Sequence, residues 1–417
     1  MTWTHVLNEA RLRLLPRRMP PGEDADLDQA ERYNRQVLLD LAVEYGPIFS
    51  GRMEGQHTTF IVDLALAKRF LKIHTDRLQP YTLDISSLVP NGFIRQMQGD
   101  VHRHYRSEFA QALARSDMEA LLAEIPGLEL DLLQRFTQSG DFRAETYLQT
   151  LTDTATRFLC RVFFGSASRS LADELHTGYQ ALGPHGLMWR PGVAQHDAFR
   201  LIESLLRDGL ANGLIDNRSV LGAAAGVGEV DATLLGNFIY SVEMGRYDLR
   251  GMYRLLTMHA AAHPERLREI GVEAQDGQSR LAKAFAEEEL RTDQSERLVR
   301  RVLRDIQFDG WFIPAGSLVR ICMWEVHHDP AIFALPMRFD PDRFLNADIL
   351  PAVFSPYGLD RHQCPFALLM SVAGIRFLRA LSQFDLLATG DRVPIRGAYH
   401  WEPAFDFSIN LERKITS

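Results

Sequence analysis

Residues 310–344 read GWFIPAGSLVRICMWEVHHDPAIFALPMRFDPDRF, and the order of signals in this stretch decides the fold. Asp309-Gly310 and Pro314-Ala315-Gly316 are turn signals set among alternating, β-branched and aromatic residues, the mark of hairpins. A helical turn, His328-Asp329-Pro330 and then Phe339-Asp340-Pro341-Asp342-Arg343-Phe344 follow. Upstream stand Glu288 and Arg291, three apart and so on one helix face. Downstream, residues 354–367 read FSPYGLDRHQCPFA and lead into an apolar helix, ALLMSVAGIRFLRALSQF. Singly, these features are weak. A lone cysteine before an apolar helix is most often a small buried hydrophobe, and a Glu–Arg pair is most often part of a solvated face. Their order is what carries information.

Working outward, the chain has 417 residues, 46% of them hydrophobic, with a net charge of -8. That supports a large core and offers no basic face for nucleic acid. The three cysteines, Cys160, Cys322 and Cys364, are odd in number and form no CxxC pair. A zinc site or disulfide framework is therefore not expected, and a reducing, cytoplasmic setting is. The N-terminus has no apolar run near the length of a membrane span, so no membrane partner is expected. Residues 1–30 read as an arm. Residues 31–45 have helical spacing, and YGPIFSGRMEGQHTTFIVDLALAKRFL reads as strand, turn, strand and helix, with Asp63 as N-cap. Residues 100–290 read as mainly helical, broken at GSAS, GPHG, RPG and GAAAGVGEV, the last as a mobile loop. The long pattern that follows is apolar on several faces and meets no proline until Pro264, so it predicts a central buried helix. The tail alternates again. The fold class is mainly α with a smaller, sequence-split β part, α+β, and with no linker the chain reads as one domain, 1–417.

Taken in order, these elements resemble the cytochrome P450 family. The resemblance covers residue 45 to the end. It implies the family's fold, with the long helix over a haem b (iron protoporphyrin IX), and Cys364 as thiolate ligand to the iron. It also implies that Glu288, Arg291 and Arg343 form a buried ion cluster of one carboxylate and two guanidiniums. Gly99-Asp-Val-His102-Arg-His-Tyr-Arg106 resembles the family's His-x-x-x-Arg helix, which assigns His102 and Arg106 to the haem propionates. His362, two before the cysteine, and the strand residue Arg300 are assigned the same role. Arg301 is adjacent, and strand alternation lets one of the two face the cofactor. Arg300 is the favoured one.

Two places depart from the family. In the cysteine loop Asp360 and Phe366 stand where glycines are usual. Asp tolerates the left-handed conformation better than most residues, so Asp360 is expected to make the turn. In the long helix the oxygen-activating run falls on Met244-Gly245-Arg246-Tyr247-Asp248, with Tyr247 for the acid and Asp248 for the threonine. Gly245, Tyr247 and Asp248 are therefore the candidate catalytic positions. Asp248 retains an ionisable proton but lacks a hydroxyl. The first functional reading is a monooxygenase that oxidises a small organic substrate, in secondary metabolism for example. Dioxygen would be the oxidant, and a separate ferredoxin- or flavodoxin-type donor would supply electrons. Two others stay open: a haem-thiolate enzyme outside the dioxygen cycle (peroxide-driven oxidation, dehydration or rearrangement), and a non-catalytic haem-binding partner domain. The polar run at 292–296 suggests a substrate with polar groups.

Overall fold

The computed structural model describes residues 17–165, 168–183, 190–293, 297–346, 353–396 and 401–414. Most of the N-terminal arm, 1–16, and the last three residues of the polar run, 294–296, lie outside them. The chain divides into two units: Met1–Thr82, Ser295–Met337 and Leu350–Gln363 make the first, and Leu83–Gln294, Arg338–Ile349 and Cys364–Ser417 the second.

The first unit is built on a sheet of β1 (Gly22–Asp26), β2 (Ile48–Met53), β3 (Gln56–Ile61), β4 (Leu78–Pro80), β5 (Arg297–Val302) and β8 (Leu318–Cys322). Their order is β1-β2-β3-β8-β5-β4. A separate hairpin joins β6 (Ile306–Phe308) to β7 (Trp311–Ile313). Its turn is Asp309-Gly310, with φ of 52° and 83°, the pair of positive values that a tight hairpin turn demands. The expected strand–turn–strand–helix is present. β2 and β3 pair antiparallel from Ile48↔Ile61 to Met53↔Gln56, and Asp63 caps the helix Leu64–His74 by accepting from Leu66 N at 2.6 Å. Ile61, Phe70, Ile313, Val319 and Ile321 share the core beneath.

One expectation fails here. Residues 31–45 are not one helix but two, α1 (Leu27–Tyr33) and a second over Val37–Tyr45. The side chain of Asn34 accepts from Gln36 N at 2.9 Å. This local bond competes with the helical ladder and breaks it.

The second unit is helical: α2 (Gly99–Arg115), α3 (Leu128–Ser139), α4 (Ala144–Phe164), α5 (Arg169–Leu182), α6 (Val193–Ala211), α7 (Ala232–Ala262), α8 (Arg280–Thr292) and α9 (Ala367–Leu381), with shorter helices between. Two strands, β9 (Phe384–Thr389) and β12 (Ser408–Arg413), pair antiparallel. Between them in the chain, β10 (Ile395–Arg396) pairs with β11 (Trp401–Glu402). The long helix of the sequence reading is α7. It is capped by Asp231, which accepts from Leu234 N at 2.7 Å, and ends where Pro264 opens the next helix. The expected mobile loop at GAAAGVGEV is half wrong. Val220–Ala225 is a helix with Leu221 and Gly222 buried, because Ser219 caps it, accepting from Gly222 N at 3.0 Å. Only the residues after it form a turn.

Candidate functional site: the cysteine and the long helix

The ion cluster forms as expected, wholly within the second unit. Arg291 donates to Glu288 through Nε at 2.8 Å and Nη2 at 2.7 Å. Arg343 Nε lies 3.3 Å from the same carboxylate, and Asp340 N donates to it at 2.8 Å. Glu288 and Arg291 are fully buried. Arg291 also donates to Arg338 O at 3.2 Å, so the cluster ties α8 to residues 338–343.

Cys364 lies three residues before α9, half-buried, with Pro365 one position outside the helix cap at Phe366. Burial pushes its thiol up to about 11, and the Asp248 carboxylate on α7 pushes the same way. The backbone N–H of Phe366 and the guanidiniums of Arg95 and Arg106 pull it down. Arg106 responds in turn: burial lowers it and Cys364 raises it. The structure thus brings Cys364, Arg106 and Asp248 into one electrostatic neighbourhood. His102 lies one turn before Arg106 on α2 and is buried.

Phe366 has a clear packing role. Its ring sits 4.9 Å from Phe163 on α4 and 6.0 Å from Phe109 on α2. Phe238 of α7 closes the group at 4.8 Å from Phe109. Such ring pairs contribute about 0.5–1.5 kcal/mol each beyond area burial. A side chain where the family usually has glycine therefore anchors the second residue after the cysteine to α2 and α4, in a ring cluster that Phe238 of α7 completes.

Arg95 is the member that the sequence reading missed. It lies on an irregular segment with no periodicity to flag it. That segment is held by α7: Asn237, fully buried, accepts from Ile94 N at 2.6 Å and donates to Gly92 O at 3.1 Å. Thr233 donates to Pro90 O at 3.0 Å. The usable signal was Asn237, a polar residue in the midst of an apolar helix, which had to find backbone partners.

Two predicted positions turn elsewhere. Tyr247 accepts from Arg246 Nη2 at 3.0 Å, and Arg246 is bonded to Glu243 at 2.8 and 3.0 Å. The Tyr247 hydroxyl abuts Gly183 at the end of α5, within 1.9 Å of where a Cβ would lie. Burial raises its phenol, and the Glu243 carboxylate adds to that. Gly245 faces α4: an added Cβ would lie 3.1 Å from Leu159 Cδ1.

Arg300 and His362 belong to the first unit. Asp360 adopts φ 62° and Gly358 φ 88°, so the aspartate does make the left-handed turn before His362. Ser355 N donates to His327 Nε2 at 3.1 Å, and Ser355 Oγ donates to Gly358 O at 2.8 Å, which fixes the start of that loop. Strand alternation separates the two arginines. Arg301 donates to Gly316 O at 3.2 Å and Gln56 Oε1 at 3.1 Å and lies over Tyr81. Arg300 is buried, and its Nη1 donates to Val299 O at 3.0 Å.

Comparison with known proteins agrees with this geometry. Residues 277–390 match the cytochrome P450 family model. The chain is 24% identical over 370 residues to ent-kaurenoic acid oxidase 1 of Arabidopsis thaliana, covering 78% of this chain and 74% of the relative. It is 24% identical to abscisic acid 8'-hydroxylase 1 of Oryza sativa subsp. japonica, covering 77% and 74%. The solved structure of retinoic acid-bound cyanobacterial CYP120A1 superimposes with a TM-score of 0.74 at 19% identity, covering 96% of this chain and all of that one. The chain is a member of the cytochrome P450 family, with that family's mainly α, smaller β fold. The family is one of haem-iron oxidoreductases that includes hydroxylases and oxidases. Among the described residues, no helix is long and apolar enough to cross a membrane.

Proposed function

We propose that this protein is a cytoplasmic haem-thiolate monooxygenase. In this reading haem b is held by Cys364, and a small organic substrate is oxidised with dioxygen and two electrons from a ferredoxin- or flavodoxin-type donor. The observation that carries the reading is the setting of Cys364: a sulfur with one backbone N–H directed at it and two guanidiniums close enough to lower its proton affinity. That donor set suits an anionic sulfur ligand. It also suits a cofactor with anionic propionates, for which Arg106 and His102 are positioned on one helix face.

When bound, the haem supplies electron transfer and oxygen activation. The chain's part is to place groups around it. Phe366 N–H, Arg95 and Arg106 act for the thiolate, against the burial and the Asp248 charge that hold the thiol protonated. Asp248 places a carboxylate on α7 near enough for its charge to act on Cys364, and proton transfer is assigned to it. Arg300 and His362 are assigned to the propionates by the family resemblance alone. Tyr247 is engaged by Arg246, so proton delivery is assigned to Asp248 and Tyr247 is given a positioning role.

The replacement of a hydroxyl by Asp248, with Tyr247 turned towards α5, favours peroxide-driven oxidation as the second reading. The test is to screen the haem-loaded protein for substrate-induced spectral changes against a metabolite library, with apolar carboxylic acids first, since the relatives' names include kaurenoic and abscisic acids. Each hit is then assayed with a reductase system under air and, separately, with peroxide alone. Product that requires reductase, electrons and dioxygen supports the monooxygenase. Equal or faster turnover with peroxide alone supports the second reading.

A further inference from the structure

Away from Cys364, the second unit contains a cavity of about 430 Å³ between the start of α3, the middle of α4 and the first turns of α5. Its size falls within the roughly 300–1,000 Å³ of small-molecule sites. None of its lining residues belongs to the cysteine neighbourhood, and it is independent of the function proposed above.

The lining divides by chemistry. Ile125, Leu128, Ala172 and Leu175 give an apolar surface, and Cys160 adds a neutral one, since burial pushes its thiol up to about 12. Three guanidiniums, Arg157, Arg161 and Arg169, face a single lining carboxylate, Glu124. Two of the three are already engaged: Arg157 pairs with Asp173 at 3.2 Å, and Arg161 pairs with Glu124. Glu124 is further shared, at 2.6 Å, with Arg218, which also pairs with Asp216 at 2.5 Å, so two carboxylates balance two guanidiniums there. Arg169, in the first turn of α5, makes no ion pair among the described residues. His176, also in the lining, has its Nε2 3.2 Å from Asp153, while its Nδ1 is buried without a hydrogen-bond partner. An apolar surface beside the unpaired guanidinium of Arg169 disfavours a cationic guest and favours an amphipathic anion.

We propose that this cavity binds a small organic carboxylate, with its charge on Arg169 and its apolar body against Leu128, Ala172 and Leu175. The test uses the haem-loaded protein saturated with an azole that ligates the iron, so that the cofactor pocket is blocked. Calorimetric titration compares 4-phenylbutyrate with 4-phenylbutylamine, which shares the body but inverts the charge. The carboxylate is expected to bind at least tenfold more tightly and to leave the azole spectrum unchanged. Ala172→Trp, which fills the space, is expected to abolish binding. Arg169→Glu is expected to remove the preference for the anion. An acidic residue in the first turn suits a helix, so this variant keeps the proposal testable should Ala172→Trp fold poorly. Equal binding of acid and amine overturns the proposal. So does carboxylate binding that displaces the azole and is unchanged in either variant.

Discussion

Glu288 and Cys364 are both acids flanked by two arginines in the same unit, yet they are held in opposite ways. Glu288 is bonded by Arg291 at 2.7 and 2.8 Å and by Asp340 N at 2.8 Å, with Arg343 at 3.3 Å. Its lone pairs are used within the chain, and nothing further is needed. Cys364 feels Arg95 and Arg106 only as charges, receives one N–H, and is opposed by burial and by Asp248, so that its thiol rests near 11. A saturated anion is a lock. An acid that burial keeps protonated, with an N–H and two guanidiniums beside it ready to support the anion, is a binding group, and a metal ion is what completes it.

The strongest way to break the comparison is Glu288→Ala. It leaves Arg291 and Arg343 without their shared carboxylate, and losing one partner of a buried pair costs roughly 3–5 kcal/mol. Soluble yield and the denaturant midpoint are expected to collapse. A stable, haem-loaded variant would show that the cluster is not a lock. Asp248→Asn keeps shape and removes the titrating proton. It should leave folding intact but slow reductase-driven product formation by about 10²–10⁴-fold, with electrons diverted to peroxide or water. Unchanged rate and coupling would make Asp248 structural.

Arg95→Gln sharpens the contrast more gently. Removing a cation raises the Cys364 thiol in haem-free protein by less than about one pKa unit, so haem retention should fall roughly threefold to tenfold. Thiol reactivity against pH and the haem-to-protein ratio report this directly, and no shift in either would remove Arg95 from the site.

The smallest effect concerns the first unit, where the charge ratio is inverted: Arg320 lies between Glu31, at 2.7 Å, and Glu325, at 3.7 Å. Burial raises Glu325 to about 7, opposed by Arg320 and assisted by Glu31, with Arg35 also lowering it. Because the folded value lies above the ordinary one of 4.5, this group's stabilising contribution is full below pH 4.5. It is lost as pH rises through 7. Glu325→Gln should flatten that slope, an effect on the order of 1 kcal/mol. A thermal-melting profile against pH with the same slope as the parent chain would assign the slope to another group.

What was legible in the sequence was whatever a local rule governs. Asp309-Gly310 had to turn, Asp63 had to cap, Glu288 and Arg291 had to share a face, and Asp360 could make a left-handed turn. What was hidden depended on partners distant in sequence. Asn34 broke a helix through a side-chain bond that periodicity does not register. Arg95 is placed by Asn237, far along the chain. Tyr247 points where it does because Arg246 and Glu243 were buried as a pair beside it, and residue spacing alone does not set that direction. Phe366 looked like a loss of glycine freedom, and its gain, the contacts with Phe109 and Phe163, is purely tertiary.

The central claim, that Cys364 is the thiolate ligand, is tested most directly by the absorption spectrum of the reduced protein under carbon monoxide. The parent chain, Cys160→Ser and Cys322→Ser should all show the red-shifted Soret band of a thiolate-ligated haem, and Cys364→Ser should lose it. Retention of the band in Cys364→Ser would contradict the account.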